Sequence, residues 1–316
     1  MPAALFARLS SLAAAALLAA CASVPPPAPP AGPQTAPAPG APPTARTSPD
    51  PAVIYAPPAI DRSFTSVAQD SRVQFIVLHY TAIDWDKSLR VLTTGGQVSA
   101  HYLVRDNPAQ IYQIVDENRR AWHAGMSFWA GNSYLNAASI GIEIVNPGYT
   151  DTPAGRVYAP YSQAQIDQVI ALVRDLQWRH QVKPERIIGH ADIAPGRKQD
   201  PGPNFPWKQF ADAGLIPWPD AEAVRTKRLD HEISPRDIGW VQERLARIGY
   251  NVPRTGLLDE MTQGVVSTFQ MKYRPTNIDG LIDAETAALI DVVSTPELMR
   301  IKRSDELVTK PYTSKF

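Results

Sequence analysis

Apolar and polar positions repeat along this chain with two different periods, and the change between them divides it. Val73 to Leu78 is nearly all apolar and reads as a buried strand. Gln110 to Val115 reads as a second strand, with Tyr102 to Val104 leading towards it. Ser139 to Val145 alternates: Ile140, Ile142 and Ile144 share one face, and Gly141, Glu143 and Val145 share the other. Between Ser162 and Val182 the period becomes helical. Ile166, Val169, Ile170, Val173 and Leu176 form one stripe, and Ser162 with Gln165 reads as a capping box. Arg186 to Gly189 is then a short strand that delivers His190. Strands and helices in this order predict an α/β domain whose site lies at strand ends and in the loops that follow them.

Residues 221–233 are charged and carry no periodic apolar stripe, which predicts a linker. From Ser234 the pattern is three short helices. Ile238, Val241, Leu245 and Ile248 mark the first, and Val265, Val266, Phe269 and Tyr273 the second. Leu289, Ile290 and Val293 mark the third, with Asp283 as its N-cap. Two similar turns, Thr255-Gly256-Leu257-Leu258-Asp259 and Ile278-Asp279-Gly280-Leu281-Ile282-Asp283, precede the later helices. The tail after Pro296 is polar and expected to be loosely held. The expected domain boundaries are 59–220, 221–233 (linker), 234–295 (three helices) and 296–316 (tail). A chain cut near Asp220 is expected to fold alone.

Ahead of residue 59 the composition changes. Arg8 and the apolar stretch Leu9 to Ala20 have the length of a signal-peptide core, too short to span a bilayer comfortably. Leu18-Ala19-Ala20-Cys21 resembles the bacterial lipobox, in which cleavage leaves a lipidated cysteine as the first residue. Cys21 is the chain's one cysteine, which excludes an intramolecular disulfide and a cysteine zinc cluster. Within that resemblance, Ala22 rather than Asp implies export to the outer membrane. Residues 1–20 are thus expected to be signal and 21–58 a tether. Fourteen of the chain's 31 prolines lie between Pro25 and Pro58. In polyproline geometry such a tether reaches on the order of 100 Å. Thirty-one basic and 31 acidic residues balance, so nothing points to nucleic acid.

The chemistry is concentrated in His190-Ala191-Asp192-Ile193-Ala194-Pro195-Gly196-Arg197-Lys198-Gln199-Asp200-Pro201-Gly202-Pro203, a Gly/Pro-punctuated loop. It groups a His, a Lys and an Asp, while His79 closes the apolar run upstream. Two histidines and one carboxylate suffice for a catalytic zinc site. Spacing alone does not join them, because His79 lies 111 positions before His190. A histidine at a strand end is more often structural, a strand carboxylate such as Glu143 more often solvated, and Lys198 by default a surface lysine.

Five blocks in order change that weighting: Ile76-Val77-Leu78-His79-Tyr80-Thr81; Ser99-Ala100-His101-Tyr102-Leu103-Val104; Ala121-Trp122-His123-Ala124-Gly125 with Ser127, Trp129 and Gly131; Asn136 and Ser139-Ile140-Gly141-Ile142-Glu143 with Asn146; and Gly189 through Pro203. Over about Val73 to Trp207 the chain resembles the zinc-dependent N-acetylmuramoyl-L-alanine amidases of the type-2 class. These share their fold with peptidoglycan recognition proteins, and the outer-membrane lipoprotein branch is the most similar. Ser234 to Val293 resembles a three-helix peptidoglycan-binding domain. The resemblance implies a mixed central sheet flanked by helices, one Zn2+ per catalytic domain, and peptidoglycan or muropeptides as substrate. His79, His190 and Asp200 would be ligands, Glu143 the general base and Lys198 the oxyanion stabiliser. Tyr80, Trp122, His123, Trp129 and Asn146 are candidate substrate contacts, with a structural role the alternative for His123 and core packing the more usual place of the two tryptophans. His101 is a further one, with a supporting hydrogen bond or a buried structural role as its alternatives. The implied location is the outer membrane, facing the periplasm. An inactive recognition protein, a zinc peptidase acting within the stem peptide and a structural lipoprotein are the alternatives. Filled ligand positions weigh against the first, product masses would separate the second, and the third leaves the catalytic blocks unexplained.

Overall fold

The computed structural model describes residues 58–302 and 310–311. Cys21, the expected signal and nearly all of the expected tether lie outside the described residues. The described residues from Ser66 onwards form one compact unit.

In chain order the elements are β1 (Phe75–Tyr80), α1 (Trp85–Thr93), β2 (Tyr102–Arg105), β3 (Gln110–Gln113), and the small hairpin β4 (Phe128–Trp129) and β5 (Asn132–Ser133). Next come β6 (Ser139–Ile144), the hairpin β7 (Tyr149–Thr152) and β8 (Gly155–Tyr158), and α2 (Gln163–His180). The loop rich in candidate chemistry runs from β9 (Ile187–Gly189) through α3 (His190–Ile193) towards α4 (Trp207–Asp212). The last part is β10 (Trp218–Pro219), α5 (Ala221–Ile233), α6 (Ile238–Ile248), α7 (Glu260–Tyr273), α8 (Ala284–Val293), β11 (Met299–Ile301) and β12 (Lys310–Pro311).

The main sheet has the order β3-β2-β6-β1-β9. β2, β6, β1 and β9 are parallel and β3 is antiparallel to β2. A parallel strand needs cover on both faces, which is why β1 reads as a run of apolar residues rather than an alternation. On one face Ile76, Leu78, Ile140, Ile142 and Ile144 pack against Ile166, Val169, Val173 and Leu176 of α2 and against Phe205, Trp207 and Phe210. On the other, Phe75, Val77 and Ile188 pack in one cluster with Leu135 and Trp129 and with Val241, Leu245, Val265, Val266, Phe269 and Ile290 of the helical module. This unit is therefore helix, sheet, helix in section, and the C-terminal helices supply the third layer.

Three local expectations change. Residues 221–233 are a helix, α5, capped by Asp220 and packed on α8, not an irregular linker. Its buried contribution is small, with His231 its one fully buried residue, so no apolar stripe marks it. The tail is not wholly loose, since Met299–Ile301 pairs with β10 and β12. Ser162 does cap α2 by accepting from the Gln165 backbone N–H, but the Gln165 side chain does not complete a capping box. It is buried and donates to the carbonyls of Val104 and Val145.

The two similar turns in the helical module have one physical cause. Gln242, buried in α6, donates to Thr255 Oγ1, the Leu257 carbonyl and Thr262 Oγ1 and accepts from the Gly256 N–H. Gln270, buried in α7, does the same for Asp279 Oδ1, the Leu281 carbonyl, Thr286 Oγ1 and the Gly280 N–H. Asp259 and Asp283 then cap α7 and α8. A buried amide whose every bond is made fixes each turn, while Gly256 and Gly280 supply the positive φ.

Candidate metal centre

Sheet register brings distant residues together. His79 is the next-to-last residue of β1 and is paired in register with Glu143 of β6. β9 runs beside β1 and hands the chain to His190, the first residue of α3. The Ala191 N–H donates to the Asp200 carbonyl (2.8 Å), folding the loop so that Asp200 returns beside His190. His79 Nδ1, His190 Nδ1 and Asp200 Oδ2 then lie 2.9–3.0 Å from one another. All three residues are buried.

The proton positions follow from the outer partners. His190 Nε2 is 3.2 Å from the Ala124 carbonyl, which only accepts, so Nε2 carries the proton and Nδ1 presents a lone pair. For His79 the argument runs through a chain. Ser139 Oγ donates to the Leu135 carbonyl and so accepts from His123 Nε2–H (3.0 Å). His123 Nδ1 is then bare and accepts from His79 Nε2–H (3.0 Å), which leaves His79 Nδ1 as a lone pair. Two lone pairs and a carboxylate oxygen face one another with no proton among them. His79 does not gain a second proton at neutral pH, because burial and the neighbouring His190 push its pKa down to about 4. The donor set fits a cation taking two imidazole nitrogens and one carboxylate oxygen, the ligand types and number of a catalytic zinc site.

Glu143 stands beside this trio, with Oε1 3.9 Å from His79 Nδ1. Its Oε2 is buried and makes no hydrogen bond among the described residues. Burial, reinforced by the charge of Asp200, raises its pKa well above the ordinary value, and Lys198 works in the opposite direction. Glu143, Lys198, His190 and Asp200 line one cavity of about 240 Å³ whose far wall is apolar, with Val91, Leu92, Val98 and Trp122.

The other candidates separate. Tyr80 and Trp122 line the cavity, and Trp122 is 49 % exposed with Arg120 over its ring. His123 touches the cavity but is buried, and both its nitrogens are used in orienting His79. His101 is not a substrate contact: it is fully buried, accepts from the Gly141 N–H and donates to the Arg119 carbonyl. Asn146 is likewise buried, bridging the Pro160 carbonyl and the Gly148 N–H. Trp129 is away from the cavity, packed edge-on against Tyr250 of the helical module.

Gly141 and Asn136 matter more than their residue types announce. A Cβ on Gly141 would lie 2.3 Å from His123 Cγ, so only glycine lets that ring lie against β6. A glycine inside an otherwise regular strand is the sequence signal for such a close approach. Asn136 Oδ1 accepts from the N–H groups of both His123 and Ala124, holding the segment that orients both histidines.

Residues 69–203 match the family model described as N-acetylmuramoyl-L-alanine amidase, and residues 234–290 match that of a peptidoglycan binding domain. The chain is 43 % identical over 231 residues to N-acetylmuramoyl-L-alanine amidase AmiD of Escherichia coli K12, covering 70 % of this chain and 82 % of the relative. The structure resembles that of Escherichia coli AmiD in complex with anhydro-N-acetylmuramic acid-L-Ala-D-gamma-Glu-L-Lys, with a TM-score of 0.68 and 42 % identity over 74 % of this chain and 93 % of that one. It also resembles Pseudomonas aeruginosa AmpDh3 in complex with anhydromuramic pentapeptide, with a TM-score of 0.69 and 37 % identity over 74 % and 96 % of the two chains.

Proposed function

The chain belongs to the N-acetylmuramoyl-L-alanine amidase family, and from that premise we propose that His79, His190 and Asp200 hold a zinc ion beside Glu143 and Lys198. The protein hydrolyses the amide bond between N-acetylmuramic acid and L-alanine of the stem peptide. The observation that carries the zinc reading is the convergence of two histidine lone pairs and a carboxylate oxygen with no proton among them.

Zinc, when bound, polarises the amide carbonyl and lowers the pKa of water towards about 7. Glu143 takes a proton from the attacking water, a role that its buried Oε2, unpaired among the described residues, supports. Lys198, lining the same cavity, meets the negative charge that develops on the carbonyl oxygen. Glu143 then returns the proton to the departing L-alanine nitrogen as the C–N bond breaks. The products are a free stem peptide and a glycan carrying the lactyl carboxylate. Burial of Glu143 favours this exchange, because a raised pKa makes the carboxylate a stronger base. Tyr80, Trp122 and the apolar wall from α1 line the groove for the muramyl group or the stem peptide.

The helical module adds affinity for polymeric wall, raising the effective concentration of the site at its substrate. Cys21 carries the lipid that holds the protein on the outer membrane, facing the periplasm.

The test is product analysis. Purified protein incubated with soluble muropeptides should release intact stem peptides beginning with L-Ala, identified by mass. Chelation should abolish the reaction and zinc should restore it. A cut inside the stem peptide, or full turnover by metal-free protein, would overturn the reading.

A further inference from the structure

We infer that the C-terminal helical module is a working part of the metal centre: Tyr250 and Lys272 position His190 through the buried carboxylate of Asp192. The inference rests on the zinc reading above. Asp192 is two residues past His190 on α3 and is 3 % exposed. Its Oδ2 accepts from the Gly189 N–H at 2.8 Å, closing the turn that contains His190. Its other oxygen, Oδ1, accepts from the hydroxyl of Tyr250 at 2.7 Å. Lys272 Nζ lies 3.5 Å from Oδ2. Tyr250 follows α6 and Lys272 lies on α7, so two bonds of this carboxylate come from the module and one from the turn it braces.

Two further contacts tie the same loop to α7. Lys272 Nζ sits 4.2 Å above the ring of Trp207. Gly189 is pinched between that ring and Pro201: a Cβ there would lie 2.7 Å from Pro201 Cδ and 3.3 Å from Trp207 Cζ2. Farther along, a Cβ on Gly264 of α7 would come within 3.3 Å of Gly196 Cα, two residues before Lys198. Helix α7 thus backs the loop from His190 to Lys198. Because the Ala191 N–H holds the Asp200 carbonyl, movement of this turn is passed to both ligands. Partners that orient metal ligands typically change metal affinity by about 10- to 100-fold when removed.

The test compares full-length variants by zinc competition against a chromogenic chelator, with thermal melting in parallel. Wild type should bind one zinc; failure to do so would overturn the zinc reading itself, separately from this inference. Tyr250→Phe keeps the ring and removes only the hydroxyl. It should bind zinc about 10-fold or more weakly, with excess zinc restoring most of the kcat. Lys272→Met keeps the stem and should weaken zinc in the same direction, and it serves if Tyr250→Phe does not fold. Leu245→Ala, in the same interface but without contact to Asp192, should lower the melting temperature and leave zinc affinity unchanged. If Tyr250→Phe and Lys272→Met bind zinc as wild type does, the module is only packing and the inference is overturned. Cobalt-loaded wild type and Tyr250→Phe should also differ in their visible absorption bands, which a loss of stability alone does not alter.

Discussion

His79 and Glu143 occupy the same register position on adjacent parallel strands, and His79 Nδ1 lies 3.9 Å from Glu143 Oε1. The proposed metal ligand and the proposed base beside it are therefore spaced by the hydrogen-bonded ladder of β1 and β6, not by a loop. Glu143→Gln keeps the shape and removes the base. Turnover should fall by roughly 10²- to 10⁴-fold, the usual worth of general base catalysis, with zinc stoichiometry unchanged. Loss of the metal, or a near-normal rate, would assign Glu143 to structure.

The orienting chain behind His79 gives a second test. In Gly141→Ala the new methyl group would collide with the His123 ring. The ring must shift, and its bond to His79 Nε2 goes with it. Zinc affinity should fall by about 10- to 100-fold. A variant that folds and binds zinc like wild type would show that His123 does not orient His79.

What was readable in the chain, and what was not, follows from how far each feature depends on pairing. The alternation of Ile140, Ile142 and Ile144 against Gly141 and Glu143 is local, and it correctly placed the isoleucines in one core and Glu143 on the opposite face. The three helices of the module and the cap Asp283 were equally local. His79 and His190 meet only because β1 pairs with β9, and no periodicity encodes that neighbour. Asn146 was misplaced for a related reason, while His101 and Trp129 took the buried structural alternatives open to them: a short motif gives residue types, while the direction of each side chain is set by the packing around it. Helix α5 went unseen because it rests on its neighbour through few residues and leaves the rest in solvent.

Acid should weaken one specific link. Glu117 receives Arg179, His180 and the hydroxyl of Tyr102, joining the segment after β3 to the end of α2. The Arg179 guanidinium, with Tyr102 and His180, holds its pKa down to about 2 from an ordinary 4.5. Because the folded value is depressed, the stabilisation is fully present above pH 4.5 and is lost as pH falls towards 2. Partial exposure reduces its worth, so Glu117→Gln should cost about 1–2 kcal/mol at pH 7. Denaturant melts of both proteins should differ at pH 7 and converge near pH 2. A difference independent of pH would rule out the charge as its source.

Cys21 lies outside the described residues, and the proposal for it is tested in cells. Stable anchoring depends on acyl chains at that residue. Cys21→Ser should therefore leave the membrane fraction or remain uncleaved. Recovery of the unaltered protein in the soluble periplasmic fraction would exclude the anchor.

The final prediction reverses the expectation that a chain ending near Asp220 folds alone. Phe75, Val77 and Ile188 of the sheet, with Trp129, Leu135 and Ile193, share one buried cluster with residues of α6, α7 and α8. Full burial of a large apolar side chain is worth about 1.5–3 kcal/mol. Uncovering several of them together removes on the order of 10 kcal/mol, comparable with the whole stability of an ordinary domain. The cut also removes Tyr250 and Lys272, leaving the Asp192 carboxylate with only the Gly189 N–H. A truncation at Asp220 should be insoluble or lack a cooperative melting transition. Its activity on soluble muropeptides and on sacculi should fall together. A wall-binding role that was separable from folding would instead spare the soluble substrate. Recovery of a soluble truncation that melts cooperatively, binds zinc with wild-type affinity and cleaves soluble muropeptides at the normal rate would show that the module's contacts with the sheet are dispensable.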